Sequence, residues 1–242
     1  MIQARNLKKS FGPQRVLEGV NLCIREGESV VIIGRSGGGK SILLKHLVGL
    51  IQPDSGEVII DGENIVGMDE RRLLDVRHKF GMLFQSAALF DSMTVEENVA
   101  LGVRYHRTFP EPEIRKRVAA RLEMVGLPDT QKLKPAELSG GMKKRVGLAR
   151  ALMTDPEFIL YDEPTSGLDP VTADTINDLI IACAEKLGVT SIVVTHDMAS
   201  AGKVGHRIAM LEDGRVIFSG TPEEMRHSSE PLVQKFIAGS RG

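Results

Sequence analysis

The sequence predicts an α/β fold: a parallel core sheet, small antiparallel strands beside it and an inserted stretch of helix. Three observations lead there. Short runs rich in apolar β-branched, aromatic or other large side chains recur at 30–33, 80–84, 158–161 and 191–194, each followed by glycine or polar residues and then a helix-like stretch. Residues 2–7, 16–24 and 57–65 instead mix apolar with polar positions between turn residues. Between about Thr94 and Lys134 the texture changes to helix.

The four apolar runs read as strands buried on both faces, as parallel sheets require. Segments 2–7, 16–24 and 57–65 read as half-buried strands, with Asp61-Gly62 supplying a tight hairpin turn. Thr94 is placed to cap a helix with Glu97 three residues on. Residues 113–125 carry an apolar stripe among basic side chains, and Pro110, Pro112, Pro128 and Pro135 divide this region into short helices. Two more strands are expected at 207–211 and 215–219, then helices near 222–225 and 231–237. The expected organisation is one domain over 1–242. Its antiparallel strands fall mainly within 1–65, and a helical subdomain of about 86–150 is inserted in the core.

Composition narrows the function. The 242 residues are 42% hydrophobic, 26% charged and 4% aromatic, an ordinary balance for a chain that buries a sizeable core. Lys and Arg number 31 against 32 Asp and Glu, a net charge of −1, so nucleic acid is not an expected partner. Cys23 and Cys183 form no metal-binding or disulfide pattern, which suits a reducing cytosol. The start of the chain shows no apolar signal core, and no apolar run approaches the ~18 residues of a spanning helix. Any membrane role is therefore expected to depend on another chain.

Gly34-Arg35-Ser36-Gly37-Gly38-Gly39-Lys40-Ser41 matches the phosphate-loop pattern, and it sits between a predicted strand and a predicted helix at 42–50. Glycines let successive backbone N–H groups curl around phosphate oxygens, and the helix N-terminus adds partial positive charge. Lys40 is placed for the β- and γ-phosphates of ATP, and the Ser41 hydroxyl for Mg²⁺. A plain glycine turn would need neither the lysine nor the serine.

The strand at 158–161 ends in Asp162 and Glu163, at the edge where α/β sheets bind ligands. Alone, such a pair is a helix cap or a solvated edge. Behind a phosphate loop, Asp162 suits Mg²⁺ and Glu163 suits the base that polarises an attacking water.

Ser139, Gly140 and Gly141 open a helix that continues Met142-Lys143-Lys144-Arg145. On residues alone this is an N-capped helix with a basic solvated face. The segment resembles the signature of ATP-binding-cassette ATPases, at the separation from Asp162 that the family uses. The resemblance covers nearly the whole chain and implies a phosphate-loop ATPase fold. It implies that Gln85 senses Mg²⁺ and the lytic water, that His196 hydrogen-bonds the γ-phosphate, and that Ser166-Gly167-Leu168-Asp169 crosses a dimer interface. Phe11 is implied to stack on adenine, with Val16 beside it. Met142 departs from the usual glutamine and cannot make its hydrogen bonds.

The resemblance further implies a head-to-tail dimer with two ATP molecules between the copies, each site completed by Ser139, Gly140 and Gly141 of the other chain. It implies separate permease subunits and a peripheral place on the cytoplasmic face of the bacterial inner membrane. Residues 84–95, with Met142 and Lys143-Lys144-Arg145, are similar to the ATPases of Mla/Mce-type lipid transporters. In such systems a periplasmic Mce-domain protein and a small regulatory subunit join the complex. Two alternatives stay open: the ATPase of an importer of amino acids or another polar solute, and a soluble cassette protein outside transport. Against the second, too few residues separate Ser41 from Ser139 to hold a coiled-coil arm.

Overall fold

The computed structural model describes residues 1–239. Strands β1 (Ile2–Phe11), β2 (Gln14–Ile24), β4 (Ser55–Ile60) and β5 (Glu63–Asn64) form an antiparallel sheet in the order β2-β1-β4-β5. The β4–β5 turn pairs Ile60 with Glu63 across Asp61 and Gly62, both at positive φ (50° and 89°), as a two-residue hairpin needs.

The second sheet has six strands: β3 (Ser29–Ile33), β6 (Phe80–Leu83), β7 (Phe158–Asp162), β8 (Thr190–Val194), β9 (Arg207–Glu212) and β10 (Arg215–Gly220). Their order is β10-β9-β3-β8-β7-β6. All neighbours run parallel except the β9–β10 hairpin. Helices fill the connections: α1 (Lys40–Leu47), α2 (Glu70–His78), α3 (Val95–Tyr105), α4 (Glu111–Met124), α5 (Gly140–Ala151), α6 (Pro170–Leu187), α7 (Met198–Val204), α8 (Pro222–Arg226) and α9 (Pro231–Gly239).

Strand periodicity divides the core in two. Val30 and Ile32, Phe158 and Leu160, and Ile192 and Val194 point toward α1 and the antiparallel sheet. Val31 and Ile33, Ile159 and Tyr161, and Val193 point to the other face, against α3 to α7. Each fully buried aliphatic side chain contributes ~1.5–3 kcal/mol. Clamping the sheet from both sides fixes the strand ends that carry the site. Helices α3, α4 and α5 pack on one another and share the second core layer. Thr94 caps α3 through a reciprocal box with Glu97.

One local expectation changes, and one helix was not anticipated. The run at 80–84 is not buried on both faces: β6 is the sheet edge, its residues alternate between half-buried and buried, and Phe84 lies beyond it, 38% exposed. A strand with one neighbour cannot be covered as β3 and β8 are. Helix α2 carries one buried residue, Leu73, so its apolar periodicity is too thin to read; Asp69 caps it through the Arg72 N–H.

Candidate active site

The loop between β3 and α1 depends on two glycines. A Cβ at Gly34 would lie 2.2 Å from the Leu211 carbonyl oxygen of β9, so no other residue can leave β3 on this path. Gly39 has φ +91°, and its Cβ would meet the Val16 carbonyl oxygen at 2.9 Å. Gly39 turns the chain into α1, whose first-turn N–H groups face the loop.

Lys40 is 6% exposed. Its Nζ donates to the carbonyls of Gly34 (2.8 Å) and Arg35 (2.9 Å) and lies 4.0 Å from Glu163 Oε1. The Gly38 N–H also donates to the Arg35 carbonyl. Burial pulls the Lys40 ammonium below the usual lysine range, and the Glu163 and Asp162 carboxylates oppose that pull. Behind it, the Ser41 hydroxyl donates to Asp162 Oδ1 at 2.8 Å, joining α1 to the end of β7.

Glu163 follows β7 with φ +49°, a region that L side chains rarely enter. Its N–H donates to the Val194 carbonyl, and its own carbonyl accepts from the Ser166 N–H. The carboxylate is 12% exposed and meets His196 Nδ1 at 2.9 and 3.0 Å. Gln85 Nε2 faces Ser166 Oγ at 3.5 Å.

Phe11, Val16, Ser36, Gly37, Gly39, Lys40, Ser41, Gln85, Glu163 and His196 line one cavity of about 450 Å³. Gly34, Arg35 and Gly38 form the wall of the loop behind Lys40, and Asp162 is joined to the cavity through Ser41. Phe11 projects from the end of β1, 46% exposed, with Lys9 Nζ 5.4 Å from its ring centre.

Ser139, Gly140 and Gly141 do not reach this cavity. They open α5, where Ser139 Oγ accepts from the Met142 N–H, and a Cβ on Gly141 would strike Thr172 Cγ2 at 2.4 Å. Met142 offers the cap only its backbone; its side chain packs on the core, a use that needs no hydrogen-bonding group. Asp169 caps α6 by accepting from the Val171 and Thr172 N–H groups.

Sequence reading missed three residues. Gln14 and Ile42 also line the cavity. Lys144 is not on a solvated face: it is 5% exposed and donates to the backbone of Gln85 and Glu163. The spacing of Gly141, Lys144 and Leu148 along one side of α5 is the signal that would have found it.

A glycine loop between a parallel strand and a helix, facing two carboxylates at the end of a nearby strand, defines a nucleoside-triphosphate-hydrolysing domain. A profile of the ABC transporter family matches residues 17–166. The chain belongs to the ABC transporter family and is an ATPase subunit of it.

It is 43% identical over 240 residues to the "Probable ribonucleotide transport ATP-binding protein mkl" of Mycobacterium leprae, covering 99% of this chain and 69% of that protein. It is 40% identical over 239 residues to the intermembrane phospholipid transport system ATP-binding protein MlaF of Haemophilus influenzae, covering 99% and 90%. Among solved structures, the ATP-binding cassette MJ0796, dimeric and bound to ADP and Pi in a post-hydrolysis state, superposes with a TM-score of 0.84. The match has 38% identity and covers 92% of this chain and 99% of that one.

Proposed function

We propose that this chain hydrolyses ATP to drive phospholipid transport through separate permease subunits, acting as a head-to-tail dimer on the cytoplasmic face of a bacterial inner membrane. One observation carries the catalytic part: Lys40, the Ser41–Asp162 pair, Gln85, Glu163 and His196 converge on one cavity. Phe11 stacks on adenine, with Val16 beside it. The N–H groups over 34–39 cradle the phosphates, and Lys40 binds the β- and γ-phosphates.

Glu163 takes a proton from water as the water oxygen bonds the γ-phosphorus, while the bond to the β-phosphate oxygen breaks and ADP leaves. His196 binds the γ-phosphate and orients the carboxylate. Ser41, Asp162 and Gln85 fit Mg²⁺: the first two already form a hydroxyl–carboxylate pair at 2.8 Å. That ion would neutralise charge on the β- and γ-oxygens.

The dimer reading is supported by the position of Ser139, Gly140 and Gly141, a capped helix start outside their own chain's cavity, and by the dimeric form of MJ0796. With two copies head to tail, each signature segment would meet the γ-phosphate bound by the other. Loss of that charge on hydrolysis then removes the preference for closure.

No helix among the described residues is long and apolar enough to cross a membrane. An apolar groove of about 540 Å³, lined on either side of Gln85 in the chain by Phe84 and Phe90 and further by Val99 and Tyr105, offers the permease a docking place. The phospholipid assignment is supported by the MlaF relative and by the variant Met142. A periplasmic Mce-domain protein and a small regulatory subunit complete the proposed complex.

The second reading, a polar-solute transporter, is supported by the mycobacterial relative, named for ribonucleotide transport. Purification of the intact complex in detergent, with mass spectrometry of its proteins and bound lipids, separates them. A permease and an Mce-domain protein carrying phospholipid are expected; a periplasmic solute-binding protein without lipid would overturn the lipid reading.

A further inference from the structure

Gln85 lies two residues beyond β6 and Glu163 one residue beyond β7, and these strands are neighbours in the sheet. The ammonium of Lys144, projecting from α5, donates to both backbone carbonyls: to Glu163 at 3.0 Å and to Gln85 in a shorter contact. Its neighbours in the basic run do otherwise. Lys143 is half-buried, and Arg145 donates to the Gly126 carbonyl on another loop.

Only Lys144 of the three is buried, and a buried ammonium is costly unless its protons are taken up. An apolar side chain would satisfy packing at this helix position with no such cost. Burial pulls the Lys144 ammonium down, and Glu163 and Asp162 hold it up, the same balance found at Lys40. Glu163 thus meets two buried ammoniums, Lys40 of the phosphate loop at its carboxylate and Lys144 of α5 at its carbonyl. Glu163 also needs external support, because its φ of +49° is intrinsically disfavoured.

We propose that Lys144 is a positioning residue for hydrolysis: by tying the Gln85 and Glu163 carbonyls to α5, it holds the Glu163 carboxylate toward the cavity beside Lys40 and His196. This rests on the reading of Glu163 as the base. Lys144 lies outside the cavity lining, so its loss acts on turnover rather than on nucleotide capture.

The test compares Lys144→Met, Lys144→Arg and Glu163→Gln in the full-length chain within its purified complex. It measures ATP turnover, melting temperature and affinity for a fluorescent ATP analogue. Lys144→Met should lower kcat about 10- to 100-fold, with nucleotide affinity within about twofold of the unsubstituted protein. Lys144→Arg, which keeps the charge and the donors, should restore most of the loss. Unchanged kcat in Lys144→Met, a parallel fall in affinity and kcat, or no rescue by arginine would each overturn the proposal. If Lys144→Met does not fold, Lys144→Gln takes its place, since its shorter amide cannot span both carbonyls, and the same outcomes decide. Wild-type turnover in Glu163→Gln removes the base reading itself. A dead Glu163→Gln beside a fully active Lys144→Met removes this proposal alone.

Discussion

His196 Nδ1 lies 2.9 Å from Glu163 Oε2 and 3.0 Å from Oε1, so the imidazole sits against both oxygens of a carboxylate that lines the cavity. The pairing follows from strand register. Asp162 of β7 sits beside Val194 of β8, and the residues just beyond those strand ends meet. The sheet delivers the two groups together although 33 positions separate them.

Replacing Glu163 by Gln keeps the shape of the side chain and removes its basicity. Turnover should fall by about 10² to 10⁴-fold while nucleotide affinity persists, and ATP should trap the dimer. Single-turnover hydrolysis and size-exclusion chromatography with ATP check both parts; near-wild-type hydrolysis would show that another group takes the proton.

Lys40→Ala removes the ammonium that bonds the Gly34 and Arg35 carbonyls and faces Glu163. Nucleotide affinity should drop at least about 100-fold, because a charge-assisted phosphate contact and the shape of the loop are lost together. An equilibrium titration showing unchanged affinity would sink the phosphate-loop role.

Phe11 is large, apolar and 46% exposed at the cavity rim, where a core aromatic would be covered. Phe11→Ala should weaken ATP binding about 5- to 100-fold, the range for losing one stacked base, and Phe11→Tyr should restore it. Equal affinities for all three proteins would remove the adenine assignment.

Glu28 sets a pH-dependent part of the stability. Burial raises its pKa, but hydrogen bonds from Arg207 and from the Arg25 N–H outweigh that and hold the carboxyl below its ordinary value of 4.5. A lowered folded value means that the stabilisation is complete above the unfolded pKa and is lost as pH falls through the folded one. Glu28→Gln should therefore cost about 1–2 kcal/mol at pH 7, with the gap closing below about pH 4.5. Urea denaturation of both proteins across pH 3–7 measures this; a gap that stays constant with pH would contradict it.

Local chemistry was enough to read much of this protein from its sequence. The phosphate loop, the acidic end of β7, the Thr94 cap and the Asp61-Gly62 turn each depend on residues adjacent in the chain, so their patterns announce themselves. Strands β3 and β8, buried throughout, and β7, buried up to Asp162, were equally plain as short apolar runs. Helix α2 and the edge position of β6 were not, because one depends on a single buried leucine and the other on which strands lie beside it.

The site divides in the same way. Sequence alone supplied the residue types to which the proposed mechanism assigns phosphate binding and proton transfer. Only the tertiary structure decided that Lys144 faces inward, bonding two loops that lie 59 and 19 positions away from it along the chain. It also decided that Gly34 must be glycine, since the obstructing carbonyl belongs to Leu211 on another strand. Contacts between segments far apart in sequence leave no periodic trace. Sheet order and register create them, and those are settled by how the two core layers pack.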